Sequence, residues 1–256
     1  MSIAEQIGDA IQEVSRDSSE VKVVFASLIG AARVSKESPV SLSLSLIRAL
    51  TTCEPSTTWA MPTFTRGFSG NGVCDLDSLP SHTGTLSEQL RLHPESIRTR
   101  SAFFSFAVLG PLAKHFWKLS PECPWGESSP YSEFLRLDSD IITVGLHTTH
   151  CSFTHHAEYL ERERIPYRFE KTFRGKILRD GQLRSHRETL FSRYRTPYPQ
   201  IDFTFLEPYY FDNGMRLVSF DGITVSSISA QSKMDVVRGL LSLDPLALIV
   251  NKEDYR

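Results

Sequence analysis

Apolar and polar positions along the chain alternate between two periods. Ile3, Ile7 and Ile11 recur four apart, with Ala10 and Val14 on the same stripe, and this spacing predicts an amphipathic first helix. After a polar break at 16–20, VKVVFASL (21–28) is a β-branched run of strand length. SPVSLSLSLIRAL (38–50) alternates Ser and Leu with period 2, but Ser38-Pro39 is a helix start, an N-cap acceptor followed by proline at N1. We assign a helix there, because a strand would leave no crossover before the next strand candidate, TTWAMPTF (57–64). Thr65 to Pro80 is polar and rich in Gly, Ser and Asp, which predicts a long loop.

Further along, TLSEQLRL (85–92) predicts a short helix and AFFSFAVLG (102–110) a buried run. A helix opened by Pro111 follows, with Leu112, Phe116 and Leu119 on one face. Next come a helix around YSEFLRL (131–137), a strong strand DIITVGL (140–146) and a helix around HHAEYLERER (155–164). From Tyr167 the pattern becomes antiparallel, with hairpin turns at Asp180-Gly181 and Asp221-Gly222 and a closing helix, MDVVRGLLSL (234–243). Strands alternating with helices predict an α/β fold, a layered α/β/α core around a mixed sheet with an antiparallel C-terminal portion. No linker-like stretch divides the chain. The expectation is one domain over 1–256, with 1–165 as α/β core and 166–256 as an antiparallel subregion.

Composition narrows the function classes. The chain has 256 residues, 40% hydrophobic and 23% charged, with 28 basic and 30 acidic residues and a net charge of −2. Such a chain can bury a full core, and its charge balance lacks the basic excess that phosphate-backbone binding uses. No run of 18 apolar residues suggests a membrane span. The first 20 residues place acids among apolar positions without a basic leader, unlike a secretory signal. Cys53, Cys74, Cys123 and Cys151 form no CxxC pair, which suits a reducing compartment. The expectation is a cytoplasmic protein, monomer or homodimer, with neither nucleic acid nor membrane as partner.

The candidate chemistry lies in HTTHCSFTHHAEY (147–159), which holds four of the eight histidines and follows the strongest strand. Ligands in α/β folds gather at the C-terminal ends of strands. His155 and Glu158 are three apart, so a helix sets them on one face, where a carboxylate can fix the imidazole tautomer and stabilise the imidazolium. Three readings stand: ordinary structural histidines, a metal site using His147, His150, His155 and Glu158, and a general base. The metal reading would make the chain a metal-dependent hydrolase, although no standard helical zinc spacing is present.

Seven segments in order resemble the aminoglycoside 3-N-acetyltransferase family of antibiotic N-acetyltransferases. They are MPTFT (61–65), SHTGTLSEQLR (81–91), RTRSAFFSFAVLG (98–110), SSPYSEFLRL (128–137), DIITVGL (140–146), SFTHHAEY (152–159) and LLSLDPLALI (240–249). The resemblance implies an enzyme that uses acetyl-CoA as acyl donor, without a metal, on a small-molecule amino-sugar acceptor. It implies His155 as catalytic base and Glu158 as its companion. Ser27, Ser38, Thr63, Phe64, Ser105 and Ser152 fall in segments that line the family's cofactor cleft, with Ser38-Pro39 at the helix whose N-terminal end lies near CoA phosphates. For the acceptor, Asp75, Glu207 and Asp212 are candidate acids, and Tyr209 and Tyr210 candidate stacking surfaces. The chain departs from the family pattern at Phe25 and Ala26, where the family has His-Ser, at Ser101-Ala102, and at Lys36-Glu37-Ser38, where it has Gly-Gly. The near-neutral charge favours a less cationic amino sugar, a polysaccharide or natural-product precursor, with an aminoglycoside antibiotic as the alternative.

Overall fold

A computed structural model describes residues 1–68 and 72–256. In chain order its elements are α1 (Ile3–Val14), β1 (Val21–Ala26), α2 (Ile29–Ser35), α3 (Pro39–Cys53), β2 (Thr58–Pro62), β3 (Val73–Asp75), α4 (Thr85–Arg91), β4 (Ile97–Arg98) and β5 (Phe106–Leu109). They continue as α5 (Ala113–Lys118), α6 (Pro130–Arg136), β6 (Asp140–Val144), α7 (Phe153–Leu160), β7 (Arg168–Arg179), β8 (Gln182–Arg193), α8 (Leu206–Asp212), β9 (Arg216–Phe220), β10 (Ile223–Ser229) and α9 (Ala230–Leu243).

A seven-stranded mixed sheet runs β4-β5-β2-β1-β6-β10-β9. Its centre, β2-β1-β6, is parallel, and both flanks are antiparallel. The period-2 pattern separates two apolar layers. Val21, Val23 and Phe25 of β1 face one, with Phe106 and Ile141, while Val24 faces the other, with Trp59, Met61 and Ile142. The first layer is closed by helices that include α6, α7 and α9, and the second by α1, α3 and α4. The core is therefore the α/β/α sandwich that the alternation predicts, and β9 and β10 extend it. The β7–β8 hairpin instead forms a second sheet with β3, in the order β3-β7-β8.

Local rules account for the elements. Ser2 and Glu5 close a capping box on α1: the Glu5 N–H donates to Ser2 Oγ at 3.3 Å and the Ser2 N–H donates to Glu5 Oε2 at 2.7 Å. The Ser/Leu segment is helical because Ser38 Oγ caps the Ser41 N–H at 3.1 Å and Pro39 occupies the first turn. Its buried face is Leu42, Leu46, Ile47 and Leu50, whereas Leu44 is exposed. Gly145 follows β6 at φ +61°, where a Cβ would stand 2.3 Å from the Ser27 carbonyl oxygen. Only glycine allows that approach of the β1 and β6 ends.

Two expectations are corrected, and one element is new. The polar stretch after Thr65 is not all loop: Val73–Asp75 pairs with Lys176–Leu178 of β7, and residues 69–71 of that stretch lie outside the described residues. LEPYYFDNG (206–214), which from its sequence alone is expected to be a loop, is largely helix α8, because Leu206 and Tyr210, four apart, are buried on one face. Helix α2 follows β1 without an N-cap side chain, so nothing in its sequence announced it.

Candidate active site

The C-terminal ends of β1, β2 and β6 open into a cleft of about 880 Å³. One wall is Phe25–Ile29, Pro39, Pro62, Phe64 and residues 82–86; the other is Arg193 and residues 201–204. The floor is Leu146 and Thr149–Ser152, with His155.

Helix α7 places His155 and Glu158 on one face, as the spacing predicts. His155 Nδ1 lies 2.6 Å from Glu158 Oε2, and the His155 side chain is 26% exposed while that of Glu158 is fully buried. With Glu158 ionised, Nδ1 carries the proton and donates it to the carboxylate. Nε2 is left as the free acceptor. The ring is flanked by Trp125 and Phe203, at centroid distances of 6.1 and 5.7 Å.

Two residues that the sequence pattern did not single out complete the pair. The Tyr167 hydroxyl and Arg168 Nε each donate to Glu158 Oε1 at 2.9 Å. Arg168 Nη2 lies 2.9 Å from Glu158 Oε2 and 3.1 Å from His155 Nδ1. Both residues belong to the chain reversal after α7, nine and ten positions beyond Glu158. A helix followed by a short turn into a strand is the signal that could have found them. Burial raises the Glu158 carboxyl, but the Arg168 charge and the His155 bond outweigh it and hold the group at about 2. Burial and Arg168 push the His155 imidazole below its ordinary value, against the pull of Glu158. The ring is therefore neutral, with a free basic nitrogen, at neutral pH.

The other histidines have separate settings. His156 is buried, with Nδ1 2.8 Å from the Trp125 carbonyl oxygen, and burial brings it down to about 4. His147 is exposed, with Nδ1 2.9 Å from Thr149 Oγ1 and Nε2 3.7 Å from Glu207. His150 is exposed at the cleft floor. Among the described residues no group of three His, Cys, Asp or Glu side chains converges as a metal site requires.

Of the proposed cofactor residues, Ser27, Phe64 and Ser152 line the cleft, and Ser38 adjoins Pro39, which does. Ser38 Oγ is engaged in capping, and the Glu37 carboxylate accepts from Ser41 Oγ at 3.1 Å at the same helix end. Thr63 and Ser105 are a correction: both are fully buried behind the wall. Ser105 Oγ donates to the Thr63 carbonyl oxygen at 2.8 Å, and Arg98 donates to Ser105 Oγ and the Thr63 carbonyl at 3.0 and 2.7 Å. Their hydroxyls hold the strand ends together.

The acceptor candidates scatter. Glu207 sits beside the cleft and accepts from Thr148 Oγ1 at 2.7 Å. Tyr209 and Asp212 are exposed on α8 and lie outside the cleft lining. Tyr210 is a correction: it is fully buried, with the Lys233 ammonium 3.8 Å from its ring centroid. Asp75 lies outside the cleft lining, where its carboxylate accepts from Ser78 Oγ at 2.5 Å and closes a turn after β3. Asp202, which the sequence reading passed over, is the one carboxylate among the described lining residues, and Arg193 the one guanidinium.

The profile of the aminoglycoside 3-N-acetyltransferase family matches residues 44–242. The chain belongs to that family. No curated protein matches the sequence significantly. Among solved structures, the aminoglycoside acetyltransferase AAC(3)-IVa apoenzyme superposes with a TM-score of 0.73 at 19% identity, over 98% of this chain and 92% of that one. AAC-IIIb, solved as a binary complex with CoASH, gives 0.74 at 17% identity over 94% and 96%. Sisomicin-bound AAC-VIa gives 0.76 at 17% identity over 95% and 98%. At these identities the likeness is one of fold, the antibiotic N-acetyltransferase fold. No helix among the described residues is long and apolar enough to cross a membrane.

Proposed function

We propose that this protein transfers the acetyl group of acetyl-CoA to an amino group of an amino sugar, with His155 as general base. The observation that carries this is a neutral imidazole, clamped by Glu158, whose free nitrogen opens into a cleft large enough for two substrates. An amine nitrogen attacks the thioester carbonyl while His155 Nε2 takes its proton. Glu158 stabilises the imidazolium, which then returns the proton to the departing CoA thiolate. No metal enters this scheme.

Family membership, the CoASH-bound AAC-IIIb and the sisomicin-bound AAC-VIa support acetyl-CoA and an aminoglycoside as first substrates to test. The charge of the cleft favours a second reading of the acceptor. One carboxylate and one guanidinium suit a singly charged or nucleotide-linked amino sugar better than a polycation. Thiol release from acetyl-CoA, measured across aminoglycosides and nucleotide amino sugars, separates the two. His155→Ala is expected to lower turnover by ~10²–10⁴-fold while acetyl-CoA still binds. Turnover near that of the wild type in this variant, or loss of activity on chelation, would sink the proposal.

A further inference from the structure

Ser152 stands at the N-cap position of α7, where a serine ordinarily accepts a backbone N–H of the first turn. Here it does not. Its backbone is in the helical region (φ −75°, ψ −2°) rather than extended, and its side chain makes no capping bond. Its Oγ instead lies 2.6 Å from the Tyr131 hydroxyl and lines the cleft one helical turn before His155. Tyr131 is fully buried on α6, packed edge-on against Phe106.

A buried phenol has one proton to place, and among the described residues Ser152 Oγ is the hydrogen-bond partner able to accept it. Tyr131 therefore donates to Ser152, and the serine's own proton is left to point into the cleft. The indole N–H of Trp125, a residue 3% exposed, has no hydrogen-bond partner among the described residues, and it acts on the phenol as a nearby donor, opposing the effect of burial. Burial keeps the phenol protonated by pushing it far above its usual range. The serine is thus a hydroxyl donor oriented from behind, beside the base, in a site that must stabilise a negative oxygen.

We propose that Ser152 donates a hydrogen bond to the oxyanion of the tetrahedral intermediate, and that Tyr131 is the positioning residue that fixes the direction of its proton. This rests on the acetyl-transfer reading above. As the nitrogen adds to the thioester carbonyl, its oxygen takes the electron pair and accepts from Ser152. When the C–S bond breaks, the pair returns and the bond to Ser152 weakens. No covalent bond to the serine forms at any stage. A donor of this kind acts on kcat and leaves ground-state binding largely alone.

The test is a double-mutant cycle on thiol release, with CoA affinity and melting temperature measured for each variant. Ser152→Ala is expected to lower kcat by ~10²-fold with little change in KM for acetyl-CoA, and Ser152→Thr to restore most of the rate. Tyr131→Phe is expected to lower kcat by roughly tenfold beside Ser152 and to have no further effect in the Ser152→Ala background, since it acts only through that hydroxyl. Losses that multiply across the two sites, a change confined to KM, or a Thr variant as slow as Ala would overturn the inference. A wild-type protein that releases no thiol with any acceptor would remove the acetyl-transfer reading itself, and the inference with it. An active wild type with unaffected variants removes the inference alone.

Discussion

Burial lowers the proton affinity of His155, and two opposed neighbours adjust it, each with a measurable signature. Arg168, 3.1 Å from Nδ1, disfavours the imidazolium, whereas Glu158 favours it. A base must be unprotonated to act, so a depressed value extends activity toward acid. Removing the cation in Arg168→Gln lets the imidazole hold its proton at higher pH. The acid limb of the kcat/KM profile is expected to move upward in pH, with a ~10–100-fold loss of kcat from the broken charge-assisted bonds. A limb that stays in place would show that Arg168 serves only the fold. The pair itself was legible, because a His and a Glu three apart on a helix must meet. Arg168 was not, since its role depends on how the chain turns back. Nor were the burial of Tyr210, Thr63 and Ser105, which follows from tertiary packing rather than from residue type.

Elements with a strong period or a clear start were readable from the sequence: α1 by its stripe, α3 by its Ser38-Pro39 start, β1 and β6 by runs rich in β-branched residues, and two hairpins by Asp-Gly. Elements made by partners were not. β3 is three residues long and exists because β7 offers it an edge, while α2 and α8 lack side-chain caps. The β7–β8 hairpin meets the main sheet through Glu188 of β8, which is almost fully buried. Glu188 accepts from Ser101 Oγ at 2.5 Å and from the Ala102 N–H at 2.7 Å. His186 Nε2 lies 3.1 Å from the same carboxylate. Glu188→Ala leaves those donors without an acceptor and is expected to cost ~1–3 kcal/mol, read as a fall in the urea midpoint. Glu188→Gln keeps one acceptor oxygen and is expected to cost less. A midpoint unchanged in the alanine variant would mean that the hairpin is held elsewhere.

For the whole molecule, the buried Glu158 links folding to pH. Its folded value of about 2 lies below the 4.5 of the free side chain. Its stabilisation is therefore fully present above the unfolded value and is withdrawn as pH falls through the window toward 2. The depressed His155 has the same sign, because the unfolded ring takes up a proton that the folded one resists. Urea midpoints between pH 6 and 3 are expected to fall more steeply for the wild type than for Glu158→Gln, and parallel slopes would contradict this. The fold class and layer order were set by periodicity, but the division of labour between the two sheets was not. The base rides on a helix of the central sandwich, and its clamp, Arg168, begins the strand that builds the second sheet. The hairpin also gives Phe191 to the main core, so its docking joins the packing of the sandwich to the placement of Arg168 beside Glu158. On the proposed mechanism, turnover is therefore expected to follow the docking of the hairpin, and a rate that fell only with loss of the whole fold would contradict this.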